Sequence, residues 1–356
     1  MTNNPDNHLH TISAGYHSRM RKRLLILSAL LFLLLLAVLL SLQIGSYQLQ
    51  PIHILQSLFG ICDEPLTNHL IWKIRLPRTI AALLAGAALA LAGNIMQTLL
   101  KNPLAAPSTL GVSQGAAFGA ACAIILFNAD QQLVDNYLLS GQNIIAICAF
   151  CGALASIIAI IIISTLRRLS SEALILAGVA MAAFFSACTM LLQYFATDTQ
   201  VAASLFWTFG DPGKAGWYEN LLIAIVLLPA AIFAISSNWC FNSLQWGDEV
   251  AATLGVNVSC LRITGLLLAC LLTAVVTAFL GIIAFVGLMA PHLIRPLVGS
   301  DHRFLLPSAT ICGALLLLLA DIISRTIIAP VVIPVGIITS FAGAPLFLFL
   351  LLQRRS

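Results

Sequence analysis

Apolar runs of about twenty residues alternate along the chain with short polar breaks. Runs long enough to cross a bilayer as helices lie at 24–44, 77–100, 109–127, 143–165, 172–196, 217–237, 260–283, 304–327 and 335–353. A shorter run at 285–298 carries proline, histidine and arginine, and is too short and too polar to face lipid. It is predicted to be a partial span packed inside the protein. The pattern predicts an all-α, polytopic membrane protein of about ten transmembrane helices, one of them short, with both termini on one side.

Composition strengthens this expectation. The chain has 356 residues, 60% hydrophobic and 8% charged, where soluble domains carry about 25% charge. So few charges cannot cover a water-facing surface, and the bilayer is the implied solvent. The net charge of +4 gives no basis for a nucleic-acid partner. Residues 1–23 are read as a cytoplasmic, disordered tail, and 24–356 as one transmembrane domain. The first apolar run follows Arg19, Arg21, Lys22 and Arg23, but it is too long for a signal peptide and no small-residue cleavage site follows it.

Charge placement orients the spans. With the termini cytoplasmic, twelve of the seventeen Lys and Arg residues fall on the inner side, as the positive-inside bias requires. Spans 77–100 and 109–127 are rich in small residues, with Gly86 and Gly93 flanking alanines. In lipid, helices associate through such close packing.

Candidate chemistry is sparse. Cys148 and Cys151 form a C-x-x-C inside an apolar run without polar companions, so they are read as packing residues and not as a metal or redox pair. The segment Gly210 to Ala215 (GDPGKA) lacks the first glycine and the final Ser or Thr of a phosphate-binding loop. No catalytic site, metal site or cofactor is expected. Asp321 is the one acid deep in an apolar span; it either pairs with Arg325 one turn on or serves a proton relay in an ion-coupled transporter. Arg75, Arg78 and Arg325 stand on the outer side, where three exposed arginines suit an acidic protein partner. On the inner side, Lys101 to Pro107 and a short amphipathic helix at 246–255 are polar but organised, the latter with the features of a docking element or lid.

Six segments then carry a resemblance. They are RLPRTIAALLAGAALALAGNIMQTLLKNPLAAPSTLGVSQGAAFGA (75–120), LSSEALILAGVAM (169–181), FWTFGDPGKAGW (206–217), GDEVAATLGVNV (247–258), GIIAFVGLMAPHLIRPLVGSDHRFLLPSATICGALLLLLADIISR (281–325) and PVGIITSFAGAPLF (334–347). In this order they resemble the FecCD-like permease subunits of type II ABC importers, which take up ferric siderophores, haem and cobalamin.

The resemblance implies an inner-membrane, multi-pass permease working as a homodimer with a dimeric cytoplasmic ABC ATPase and one periplasmic substrate-binding protein. ATP would be bound by the partner subunit. It implies that Arg75, Arg78 and Arg325 meet the binding protein. Asp248, Glu249, Ala251, Leu254 and Gly255 would dock the ATPase, and Asn102, Leu104, Ser171 and Glu172 would form a cytoplasmic gate. An iron(III)-siderophore-type chelate is the expected cargo, with haem, cobalamin or, more rarely, molybdate as alternatives. Two positions depart from the family pattern: Val332 stands where a glutamate is usual before Leu-Pro, and Glu172 where a small polar residue is familiar.

Overall fold

The computed structural model describes residues 5–45, 47, 50–61, 64–129, 140–167 and 171–353; the side chains of 5–19, 164–167, 171, 172, 347 and 350–353 lie outside the description. Fifteen α-helices follow one another among these residues. They are α1 (Pro5–Gln43), α2 (Pro51–Leu58), α3 (Pro65–His69), α4 (Leu76–Leu99), α5 (Val112–Phe127), α6 (Gly141–Arg167), α7 (Ser171–Tyr194) and α8 (Asp198–Thr208). After these come α9 (Trp217–Ser236), α10 (Asn238–Leu244), α11 (Asp248–Thr253), α12 (Val258–Leu280), α13 (Val286–Val298), α14 (His302–Thr326) and α15 (Val335–Gln353). A π-helical turn, Leu70–Arg75, joins α3 to α4 without a break.

Seven helices among the described residues are long and apolar enough to cross a membrane, and three shorter apolar helices (Val112–Phe127, Val286–Val298 and Val335–Leu346) accompany them. These are the ten segments the hydrophobic pattern predicts. At about 1.5 Å per residue, the 24-residue stretch Met20–Gln43 of α1 reaches about 36 Å, enough for a bilayer. The thirteen residues of α13 reach only about 20 Å, a partial span as expected.

Burial ranks the helices. The apolar stretch of α4 is 78% buried, against 11% for α1 and 17% for α7. So α4 is the central post, and the outer helices turn apolar faces to lipid or to another protein. The small residues explain the tight centre. A side chain at Gly93 would run into the backbone of Gly287 on α13, and one at Gly86 into the backbone of Gly313 on α14. Without a hydrophobic force between helices in lipid, such backbone approach supplies the packing.

The bundle has two polar ends. α1 connects them: Arg23, near the start of its apolar span, meets Asp301, and its last carbonyls meet Arg75 and Arg325. Trp72 and Trp217 stack 6.1 Å apart at the arginine end, while Trp239 and Trp246 stand exposed at the other. These are the positions where amphipathic rings settle at membrane–water boundaries.

Four helices, α2, α3, α8 and α10, were not legible in advance. α2 begins at Pro51 in its first turn. α8 begins with a capping box, in which Thr197 accepts from the Gln200 backbone and Gln200 reaches back to Thr197; the T-x-x-Q spacing is the signal that could have revealed it. α10 precedes the expected docking helix. That helix is also shorter than the predicted 246–255: α11 holds only Asp248–Thr253. Gly247 (φ +119°) and Gly255 (φ +83°) occupy conformations closed to helix, and they cut it at both sides.

Candidate functional site

At the arginine end, the polar side chains converge on one buried carboxylate. Asp321 of α14 is 0% exposed. Arg78 Nε lies 2.8 Å from its Oδ1, and Arg325 Nη2 lies 2.9 Å from its Oδ2 as an ion pair. Arg78 also reaches Asp211 Oδ1 at 2.9 Å, and Asp211 accepts from the backbone of Gly213 at 2.9 Å. One guanidinium thus ties α4 to both α14 and the α8–α9 loop. The pairing of Asp321 with Arg325 is as the i,i+4 spacing predicts; the second arginine, 243 positions away in sequence, is a product of the fold.

The other contacts of these arginines are with α1. Arg75 Nη1 donates to the carbonyls of Leu42 (2.6 Å) and Gln43 (3.0 Å), and Nη2 donates to Tyr47 O. Arg325 Nη1 donates to Ser41 O (3.1 Å) and Ile44 O (2.9 Å), and Nη2 bonds Ser41 Oγ at 2.8 Å. The last turn of a helix leaves carbonyls without intrahelical partners and carries partial negative charge. Two cations satisfy both conditions for α1.

This corrects the expectation of three exposed arginines. Arg75 is 5% exposed, and the side chains of Arg78 and Arg325 are 14% and 8% exposed. Their donors are drawn inward by a buried carboxylate and by helix-end carbonyls, which outcompete water once the site is closed.

Beside this cluster runs a short backbone lattice. Asp211 N donates to Leu280 O (2.9 Å), Ile282 N to Thr208 O (3.2 Å) and Gly336 N to Gly210 O (2.9 Å). It joins the α8–α9 loop, the α12–α13 connector and the start of α15. Gly281 (φ +84°) makes the turn that lets the strand-like segment pair.

At the opposite end, two segments read separately from the sequence meet. Asp248, the first residue of α11, is 2.8 Å from Lys101 Nζ and 2.8 Å from Arg262 Nη2. The Lys101 ammonium, and next to it Arg262, hold the Asp248 carboxyl below its ordinary range, against the opposing effect of partial burial. Ala251 is 0% exposed and faces the bundle, whereas Glu249, Val250 and Leu254 point outward. Nothing lies within 4 Å of where a side chain at Gly255 would begin.

Asn102 organises the turn after α4. Its side-chain oxygen accepts from Leu104 N (2.9 Å), its N–H donates to Gln97 O (3.1 Å) and its carbonyl accepts from Ala105 N (3.1 Å). Leu104 is 37% exposed. Ser171 opens α7, but the side chains of Ser171 and Glu172 lie outside the described residues, as do residues 1–4. Val332 is 40% exposed in the turn before α15.

A central small-residue post, a partial span, an anchored six-residue helix between α10 and α12 and the arginine cluster occur together along one chain. The model of the FecCD transport family matches residues 33–353. The chain belongs to the FecCD transport family. A permease protein of an ABC transporter from Methanocaldococcus jannaschii is 47% identical over 96% of this chain and 98% of its own length. The hemin transport system permease protein HmuU of Yersinia pestis is 38% identical over 95% and 98% of the two chains. The vitamin B12 import system permease protein BtuC of Citrobacter koseri is 38% identical over 92% and 94%. A solved chain described as an inward-facing metal-chelate type ABC transporter superposes with a TM-score of 0.80 at 31% identity, covering 92% of this chain and 99% of that one. This FecCD-family chain is therefore a multi-pass ABC importer permease.

Proposed function

We propose that this FecCD-family permease imports a bulky metal chelate, an iron(III)-siderophore-type complex or haem, driven by a separate cytoplasmic ATPase. The observation that carries the reading is α11. Its Asp248 is anchored by two cations, its Ala251 is packed inward, and Val250 and Leu254 are exposed at a water-facing end of the bundle together with Trp246. Exposed apolar side chains there call for a protein partner. A helix held by ion pairs to the α4 turn and to α12 transmits that partner's movement into the spans.

The α11 end is cytoplasmic in this reading. Arg21, Lys22, Arg23, Lys101, Arg262, Arg295 and Arg303 gather on that side, while the arginines of the opposite end are neutralised by Asp211, Asp321 and α1. Both termini are then cytoplasmic. The periplasmic binding protein docks at the arginine end, where Arg75, Arg78 and Arg325 shape the surface through α1 and the α8–α9 loop. Leu176, Phe184, Met190 and Leu191 on the exposed face of α7 suit a second copy around a shared passage. Asn102 and Leu104, with Ser171 and Glu172, form its gate.

Similarity to a vitamin B12 permease favours cobalamin as a second cargo. The ion-coupled alternative is disfavoured because both oxygens of Asp321 are engaged by arginines, which makes the carboxylate an anchor. The test is Leu254→Arg with Val250→Arg in the assembled transporter. Both positions are exposed, so the bundle stays folded; chelate uptake and stimulation of the ATPase by loaded binding protein should fall at least tenfold. Unchanged uptake and ATPase stimulation would overturn the docking assignment. Growth of a deletion strain on single defined iron chelates, haem and a cobalamin-dependent medium names the cargo.

A further inference from the structure

A cavity of about 310 Å³ opens at the α11 end, between α4, α10, α13 and α14. Gln97, Thr98 and Lys101 reach it from α4 and its following turn, Gln245 from the end of α10, Arg295 from α13 and His302 from α14. Its lining holds two permanent cations and no acid. Of the nearby carboxylates, Asp301 turns away to Arg23 and Asn242, whereas Asp248, outside the lining, pairs with Lys101 and Arg262 and so already shares the Lys101 ammonium.

The wall is built, not incidental. Gln97 is 3% exposed, and Arg295 Nη2 already bonds its Oε1 at 3.3 Å. Its Nε2 has no acceptor among the described residues. A buried amide donor without a partner is unfavourable, and an acceptor arriving from outside would satisfy it. His302 is fully engaged, with Nε2 2.8 Å from Thr98 Oγ1 and Nδ1 within 3.0 Å of Gln245 and Asn242. It stiffens the wall and competes for nothing.

We propose that this cavity binds a phosphate-bearing anion, free or as the headgroup of an anionic lipid, through Gln97 Nε2, Arg295 and Lys101. A guanidinium from α13, with an amide donor and an ammonium from α4 and the turn that follows it, match the several oxygens of a phosphate. Basic pockets between helices on the cytoplasmic side of a membrane are where phosphorylated headgroups bind. Lys101 is also the ammonium that holds Asp248 of α11. Anion occupancy and the position of α11 are therefore linked, each shifting the other; this last step rests on α11 being the docking helix.

The test uses the full-length permease without its ATPase, so that the outcome is independent of the docking assignment. Titration with inorganic phosphate, followed by calorimetry, is set beside native mass spectrometry from nanodiscs containing phosphatidic acid or only phosphatidylcholine. Gln97→Met and Arg295→Gln should each weaken binding at least tenfold, with elution volume and melting midpoint retained. Lys73→Gln, at the opposite end, should leave it unchanged. Phosphate binding identifies the free anion; retention of phosphatidic acid without phosphate binding identifies the headgroup. Absence of both, or equal binding by wild type and the two cavity variants, overturns the proposal.

Discussion

Removing the Arg78 guanidinium while keeping its stem, as Arg78→Met, probes the arginine cluster most directly. Arg78 makes two ion pairs, to Asp321 at 2.8 Å and to Asp211 at 2.9 Å. The Asp321 side chain is 0% exposed and the Arg78 side chain 14%, so water cannot replace what is lost. Breaking a buried pair by deleting one partner costs about 3–5 kcal/mol. Arg325 remains 2.9 Å from the second carboxylate oxygen, which places the expected loss at the lower bound, about 3 kcal/mol. At about 2 °C per kcal/mol for a large domain, the melting midpoint should fall by about 6 °C. The assay is tryptophan-fluorescence melting of the purified permease in mild detergent. Asp321→Asn alone and Arg78→Met/Asp321→Asn complete a double-mutant cycle, in which the single losses should exceed additivity by about 1–2 kcal/mol. A shift below about 2 °C for Arg78→Met, or strictly additive losses, would refute the assignment of a closed ionic anchor, because a solvated pair is worth only about 0–1 kcal/mol.

Asp321→Asn should still support ATP-driven uptake that is insensitive to a protonophore; uptake abolished in this variant while the α11 variants transport normally would instead indicate ion coupling. Reversing charge at Arg75 and Arg325 together should free the end of α1, seen as faster hydrogen exchange at Leu42 to Ile44, and weaken binding-protein docking only as a consequence; unchanged exchange there would contradict the capping role. Gly93→Leu should prevent α4 from packing on α13 and cost at least the 1–3 kcal/mol of overpacking, read as loss of the monodisperse protein, whereas a fully stable variant would contradict the backbone contact with Gly287. Asp248 has a folded pKa below its ordinary 3.8, so its hold on α11 is complete above that value and is lost as pH falls through the lower folded one. Exchange protection of α11 should be constant from pH 8 to pH 5 and drop only below about 4, and protection that already declines near neutral pH would exclude the Lys101 pairing as its source.

What the sequence determined by itself was the set of spans. Each helix that crosses the membrane must satisfy its own backbone within one continuous apolar segment, so length and hydropathy alone located the apolar cores of the spans, His302–Thr326 among them, to within a few residues. Helix nonetheless extends further than the apolar runs, back to Pro5 through the stretch read as a disordered tail and back to Pro65 ahead of α4. The partial span at Val286–Val298 was legible for the same reason: its polar residues rule out lipid on all sides. The i,i+4 pair Asp321–Arg325 was likewise visible, because it needs only one helix.

The tertiary structure decided everything that depends on two segments meeting. Arg75, Arg78 and Arg325 look alike in sequence as outer-side cations, and only folding turns them inward onto α1 and Asp321. Lys101 and Asp248 are 147 positions apart, and no periodicity connects them; the return of α12 beside α4 does. The unspent amide of Gln97 became informative only once α13 and α14 closed around it. Local pattern records where a segment lies relative to lipid, whereas a charge's partner is set by packing between segments, and in a chain with 8% charged residues those few partnerships hold each of the two polar ends of the bundle together.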